Sequence, residues 1–304
     1  MADKKATYNG ILNVYKEAGF TSNDVVAKLR GILRQRKIGH TGTLDPAAVG
    51  VLPVLLGNAT RLSEYLTDHD KCYRTCVRLG VETDTEDMTG KVLRSFDWSG
   101  VTEEAAAEAA LSFRGGYDQV PPMYSAKQVN GKRLYDLARE GKIIERRPVR
   151  VDIPVIEVER VDLPFMTLKV ECSKGTYIRT LCADIGKKLG CGGAMESLTR
   201  LRVGDFHIED SLTLDRIGQL TEAGRIGSFI IPCEEVFLHC FRAHTVPEAD
   251  RKLYNGNELS FGELGLGSHG AGEMIRACDS SGRFIAVYRL AGSGGSYRPY
   301  RMLG

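Results

Sequence analysis

Residues 37–53 read KIGHTGTLDPAAVGVLP. One carboxylate, Asp45, stands among three glycines (Gly39, Gly42, Gly50), two threonines and two prolines, five residues after His40. Glycine opens backbone conformations closed to other residues, and Pro46 confines Asp45 to extended conformations. The stretch therefore reads as a stiff, sharply bent loop. No second carboxylate, cysteine or phosphate-loop lysine lies within it. Taken alone it fits either a plain Asp-Pro turn or a loop built to present one acid.

The flanking segments place this loop in an α+β fold. GILNVYK (residues 10–16) reads as a strand. Thr21 or Ser22 can cap a helix whose apolar positions Val25, Val26, Leu29, Ile32 and Leu33 share one side. After the loop, VGVLPVLLG is apolar enough to be buried, and Asn58 can start a short helix through Leu62, Tyr65 and Leu66. CYRTCVRLGV alternates, with Tyr73, Thr75, Val77 and Leu79 on one face of a strand. EEAAAEAALSF and LYDLARE read as helices, and PVRVDIPVIEVERV and FMTLKVEC as long strands. TYIRTLCADIGKKLG puts Ile178, Leu181, Cys182, Ile185 and Leu189 on one helical face, and LTRLRVGDF is a further strand. Helices interrupt strands without a regular βαβ rhythm, which predicts a mixed α+β fold rather than a doubly wound one. Eleven of the 34 glycines fall in the last 49 residues, among short strand-like runs. That composition predicts a small all-β module at the C-terminal end.

The bulk numbers remove several function classes. A chain of 304 residues with 42% apolar and 26% charged residues has too much core material for disorder. No apolar run approaches a membrane span, and the N-terminal residues carry no signal-peptide core. The eight cysteines are scattered without a C-x-x-C pair, a pattern expected in a reducing cytoplasm. His239, Cys240 and His244 lack the paired spacing of a zinc site. GLGSHG (residues 265–270) matches a dinucleotide fingerprint in letters only, since no helix follows, and is expected to be a hairpin loop.

Net charge is only +2, but it is unevenly spread. Lys28, Arg30, Arg34, Arg36 and Lys37 occur without an intervening acid, and residues 127–150 hold eight cations against three acids. Acids gather at Glu82, Asp84, Glu86 and Asp87. The basic runs fit either solvated faces or patches that attract a polyanion.

Five ordered segments narrow the choice: GHTGTLDPAAVGVLPV, KCYRTCVRLG, PPMYSAKQVNGKRLYDLAREG, GTYIRTL and MESLTRLRVG. In wording and order they resemble the bacterial tRNA pseudouridine-55 synthases, the TruB family, from about Ile11 to Phe206. The tail, with KLYNGNEL and DSSGRFIAVYRL, resembles that family's PUA-type RNA-binding module. The resemblance implies a mostly antiparallel catalytic domain over residues 1–238 and a PUA-like module over residues 239–304. It implies an isomerase that converts the T-loop uridine at position 55 of tRNA to pseudouridine, as a cytoplasmic monomer without cofactor, metal or protein partner. Asp45 would be the nucleophile, with Tyr73 and Arg179 as catalytic companions. His40 would fill the RNA stack left by the flipped base. Tyr73, Tyr177 and Leu198 would line the base pocket, and Lys16 would be the lysine of the first family motif, counted with the substrate-binding residues. Arg34, Arg36, Lys37, Lys132 and Arg133 would touch the RNA backbone. The chain departs from the family at Glu17, where proline is usual, at PAAVG, and at Gln128, where lysine is common. An RNA-guided synthase subunit and a non-catalytic tRNA-binding or folding factor are the alternatives.

The chemistry suits a solitary acid. Forming pseudouridine breaks one glycosidic bond, turns the base and joins C5 to C1′, with no redox change. One nucleophile can begin this, at C6 of the ring or at C1′. A carboxylate desolvated by a bound base is driven toward its neutral form, and a neighbouring arginine offsets that shift and aims the charge.

Overall fold

The computed structural model describes residues 8–304 apart from 126, 130, 143, 269 and 293. The chain runs through β1 (Gly10–Lys16), α1 (Ser22–Ile32), β2 (Ile38–His40) and β3 (Val49–Leu56), then a 3-10 turn (Gly57–Leu62) into α2 (Ser63–Thr67). Next come β4 (Lys71–Leu79), the hairpin β5 (Val81–Thr83) and β6 (Val92–Ser95), α3 (Glu103–Leu111) and β7 (Gly115–Gln119). A short hairpin, β8 (Gln128–Val129) and β9 (Lys132–Arg133), precedes α4 (Leu134–Arg139), β10 (Val149–Ile153), β11 (Val155–Asp162) and β12 (Phe165–Cys172). Helix α5 (Ile178–Lys188), β13 (Gly193–Val203), β14 (Phe206–His207) and α6 (Leu214–Glu222) complete the larger part. The tail holds β15 (Phe241–His244), α7 (Asp250–Tyr254), β16 (Leu259–Ser260), β17 (Met274–Cys278), β18 (Phe284–Leu290) and β19 (Ser296–Met302).

The central sheet has the order β1-β3-β13-β4-β12-β11, with β2 on β3 and β14 on β13. Every pairing in it is antiparallel except β3 with β13, which meet in parallel only at Val49 and Gly50 against Thr199 and Arg200. This is the α+β fold that the strand rhythm predicts, with the mostly antiparallel sheet that the family resemblance implies. Strands β1 and β3 are buried on both faces. Leu12, Val14, Leu52, Val54 and Leu56 pack under α1 and α6. Ile11, Val51 and Leu55 face the other way, toward Phe237, Val287 and Leu303. Two buried faces explain why VGVLPVLLG is apolar throughout rather than alternating. Pro53 fits inside this strand because β13 stops at Gly50 and β2 begins at Val54 on that edge.

Two expectations change. PVRVDIPVIEVERV is not one strand: Pro154, which has no N–H to give a ladder, divides it. β10 pairs with β7 outside the main sheet, whereas β11 pairs with β12 inside it. The GLGSHG segment is not a hairpin loop. It joins β16 to β17, which are not neighbours in the five-stranded order β15-β17-β18-β19-β16, and its His269 lies outside the described residues. That sheet is the expected small PUA-like module, with its own core around Leu253, Ile275, Tyr288 and Tyr297. It is docked on the larger part by Leu303 and Val287, by Arg61 Nη1 donating to the Met302 carbonyl (2.7 Å), and by Arg301 paired with Glu64 (2.9 Å). No helix among the described residues is long and apolar enough to cross a membrane.

Candidate active site

The loop between β2 and β3 is held by side chains from distant elements. Leu44 and Ala48 are buried in the core beneath the central sheet, so the chain is anchored on both sides of Asp45, which stays partly exposed. Leu44 N–H donates to Ser22 Oγ (2.9 Å) at the start of α1. Thr67 Oγ1 donates to the Thr41 carbonyl (2.7 Å). Gly19 N–H and Lys16 Nζ both donate to the Pro46 carbonyl (3.0 and 3.1 Å). Arg200 donates from Nη2 to the Gly42 carbonyl (3.1 Å) and from Nε to the Val51 carbonyl (2.7 Å). Gly50 is required: its φ is +106°, and a Cβ there would lie 2.2 Å from the Arg200 carbonyl oxygen.

Arg179, in the first turn of α5, reaches this loop. Its Nε lies 2.9 Å from Asp45 Oδ2, and its Nη2 donates to Asp45 Oδ1 (3.4 Å). The guanidinium is itself fixed by the carbonyls of Thr85 (3.0 Å) and Tyr124 (2.9 Å) and by Asp87 at 3.8 Å. Asp87 is buried and accepts from the hydroxyls of Thr85 and Thr89 and the Thr89 amide. Tyr177 is the N-cap residue of α5. Its backbone is clamped by the buried Gln119, whose Oε1 accepts from Tyr177 N–H (2.7 Å) and whose Nε2 donates to its carbonyl (3.0 Å). Sequence distances of 134 residues between Asp45 and Arg179 thus collapse to one ion pair.

Tyr73 on β4 stands opposite Arg200 on β13 in the sheet register, and Leu198 opposite Thr75. Tyr73 and Leu198 are buried in the same apolar cluster as Leu44, Ala48 and Ile178. Asp45, Tyr73, Tyr177, Arg179 and Leu198 are therefore brought to one place by the loop, two neighbouring strands and the head of α5. His40 ends β2 beside them, half-buried, with Nδ1 accepting from Gly42 N–H (3.3 Å).

Burial dominates the electrostatics. It raises the Asp45 carboxyl above its ordinary range, against the pull of Arg179, while Asp87 adds to the rise. It raises the Tyr73 phenol, with Arg200 opposing. It lowers His40, helped by Arg200, in keeping with a neutral imidazole that accepts at Nδ1. Lys16 is fully buried, with its amine lowered to about 8, and it donates to the carbonyls of Glu17 (3.1 Å), Phe20 (2.6 Å) and Pro46. Its place is a staple under the loop rather than a contact facing a substrate.

Arg34, Arg36 and Lys37 are exposed between α1 and β2. The side chains of Lys132, Arg133 and Gln128 lie outside the described residues. Among the described residues no group of three or more His, Cys, Asp or Glu side chains is arranged to hold a metal ion. Sequence reasoning missed Asp87, Gln119 and Arg200. Arg200 carried a usable signal, since it lies two positions after Leu198 on a strand and so shares its inward face.

Residues 30–178 match the family described as TruB family pseudouridylate synthase (N terminal domain), and residues 179–237 match the tRNA pseudouridylate synthase B C-terminal domain. The chain is 46% identical to tRNA pseudouridine synthase B of Lachnoclostridium phytofermentans, over 97% of this chain and 99% of that protein. It is 49% identical to the protein of the same name from Staphylococcus haemolyticus, over 75% of this chain and 77% of the other. Among solved structures, a chain of a Cbf5-Nop10-Gar1 complex aligns with a TM-score of 0.72 at 25% identity, covering 97% of this chain and 85% of that one. A chain of an H/ACA RNP bound to a substrate RNA shares the fold, with a TM-score of 0.70 at 23% identity, over 97% of this chain and 85% of that one.

Proposed function

This chain belongs to the TruB family of pseudouridylate synthases, and from that premise we propose that it isomerises the T-loop uridine at position 55 of tRNA to pseudouridine, with Asp45 as nucleophile. The observation that carries the reading is the Asp45–Arg179 ion pair, set against the buried cluster that holds Tyr73 and Leu198. The Asp45 carboxylate opens the reaction, at C6 or at C1′, and no electron or added group is needed. Arg179 keeps the carboxylate charged and aimed as a base desolvates it.

The target uridine must leave the RNA stack, which costs a few kcal/mol. His40, neutral and planar at the end of β2, takes the vacated position, and stacking returns about 1–3 kcal/mol. Tyr73 and Tyr177 receive the flipped base, Leu198 closes over it, and the Tyr73 oxygen, as phenolate, takes the C5 proton late in the reaction. Lys16 serves indirectly by stapling the Asp45 loop. Arg34, Arg36 and Lys37, with Lys132 and Arg133, contact phosphates and so position the T-arm without reading bases.

We take residues 1–238 as the catalytic unit and residues 239–304 as an RNA-binding module, a division supported by the separate sheet that starts at Phe241. The protein works alone, as a monomer, in the cytoplasm; eight free cysteines, seven of them buried, favour a reducing compartment. A guided-subunit role is the weaker reading, because identity to the matched chain of the Cbf5-Nop10-Gar1 complex is 25% against 46% to the bacterial enzyme.

The test is purified protein with an unmodified T-arm transcript and no cofactor, followed by chemical mapping of pseudouridine. Product is expected from the wild-type protein and none from Asp45→Ala. No product from the wild type overturns the function, and product from Asp45→Ala overturns the nucleophile.

A further inference from the structure

The bulkiest of the fully buried side chains is a cation. Arg200 is 2% exposed, and no carboxylate of the described residues acts on its guanidinium. Its ionisable neighbours make matters worse, since Lys16, Lys71 and His40 are each held down in part by its charge. A buried charge without a counter-ion costs stability, so its retention calls for a task. Arg200 has three partners. Two are the Gly42 and Val51 carbonyls, which bracket the Asp45 loop. The third is Tyr73, its cross-strand partner in the sheet, whose phenol oxygen its charge draws toward the anion against the effect of burial. Two carbonyls can be satisfied by any neutral donor. A full positive charge is needed only by the third partner, and only if that oxygen becomes an anion.

We infer that Arg200 is a positioning residue for the last proton transfer: it holds the Tyr73 oxygen ready to take the C5 proton and ties it to the frame that carries Asp45. The inference rests on the roles proposed above for Asp45 and Tyr73. Once C5 has joined C1′, the C5–H bond breaks and its proton forms an O–H bond with the Tyr73 phenolate. The electron pair left behind closes the C5–C6 double bond. The displaced charge leaves on the Asp45 carboxylate if that is bonded to C6, or at N1, which takes a proton from solvent. The phenol returns its own proton to water before the next turnover. A phenolate is unfavourable in an apolar pocket, and an adjacent guanidinium offsets that penalty.

The test is single-turnover pseudouridine formation on T-arm transcripts carrying uridine or 5-deuterouridine at the target. Arg200→Met is expected to slow the reaction roughly 10²-fold and to show a larger primary isotope effect than the wild type. Arg200→Lys, which keeps the charge and places less demand on refolding, is expected to recover most of the rate and of the wild-type isotope effect. A slow Arg200→Met with an unchanged isotope effect overturns the inference, because a loosened loop would retard the first step rather than the last. An unchanged rate overturns it too. If Arg200→Met does not fold, Arg200→Gln, a neutral donor, takes its place: a slowed reaction with an enlarged isotope effect upholds the inference, and an unchanged rate or an unchanged isotope effect overturns it. Tyr73→Phe must also enlarge the isotope effect. Product from Asp45→Ala would instead remove the underlying mechanism, and this inference with it.

Discussion

Arg179 engages Asp45 with two nitrogens, Nε at 2.9 Å from Oδ2 and Nη2 at 3.4 Å from Oδ1, while its own position is set by the carbonyls of Thr85 and Tyr124. The planar fork thus fixes a direction as well as a charge. A lysine supplies the charge alone. Arg179→Lys is expected to lower single-turnover pseudouridine formation roughly 10²-fold, the scale of a misplacement near 1 Å, with tRNA binding retained in a filter assay. Full activity in Arg179→Lys would remove the aiming role.

The Asp45 carboxyl lies above its ordinary range because burial outweighs the pull of Arg179. Only the carboxylate attacks, so the rate should fall as pH drops through that raised value, on an acid limb above the roughly 3.9 of a free aspartate. Stability carries the opposite sign. A folded value above the unfolded one favours the native state most at low pH, and this contribution is lost as pH rises through the folded value. Asp45→Asn cannot ionise. It is expected to melt higher than the wild type near neutral pH and to lose that advantage below about pH 4. A lower melting temperature at neutral pH would mean that the Arg179 pair outweighs burial.

Much of this site was legible because its chemistry sits in short segments with distinctive wording: the Asp45 loop, Tyr73 in an alternating strand, Arg179 at a helix start. The strand rhythm also predicted the α+β class. What escaped was non-local. Asp87 reads as one more member of an acidic surface run, yet its carboxylate turns inward to threonines and Arg179. Lys16 reads as a substrate-binding lysine of the first motif, because the three carbonyls that hold it are backbone groups with no sequence signature. The brief parallel contact of β3 with β13 depends on Gly50, which a loop reading credits only with flexibility.

Lys16 should matter to stability before chemistry. Lys16→Met keeps the apolar stem and removes the donor from the Glu17, Phe20 and Pro46 carbonyls. Leaving buried acceptors unpaired costs about 1–3 kcal/mol each, which water recovers only where it can enter. The expected result is a clear fall in the urea midpoint with the slope unchanged, and a loss of turnover that tracks the loosened Pro46 rather than tRNA affinity. A variant as stable as the wild type would show that Lys16 does not staple the loop.

Gly50→Ala is expected to be more damaging than its one methyl suggests. The added Cβ would meet the backbone oxygen of Arg200 at 2.2 Å and its nitrogen at 2.9 Å, and neither can rotate away. The left-handed backbone adds about 1–3 kcal/mol of strain. Strands β3 and β13 must part or the loop must shift, so both the unfolding midpoint and the rate should drop. Gly19→Ala is the control, because its Cβ meets nothing within 4 Å although its φ is also positive, at +84°. It reports the cost of backbone conformation without the clash, and equal losses in the two variants would refute the close-contact explanation.

Arg34, Arg36 and Lys37 lie exposed just before the strand that ends at His40, and Lys37 Nζ donates to Asn58 Oδ1 at 3.3 Å. Their position beside the site suits phosphates flanking a flipped nucleotide. Each phosphate contact releases condensed counterions, so the logarithm of affinity should fall with the logarithm of salt by about 0.7–0.9 per contact. Replacing all three by glutamine is expected to weaken T-arm binding and to flatten that slope by about 2. Single-turnover rate at saturating RNA should stay near the wild-type value, since none of the three touches Asp45, Tyr73 or Arg179. Titrations at several salt concentrations measure the slope directly. An unaltered slope would mean that the phosphate contacts lie elsewhere on the protein.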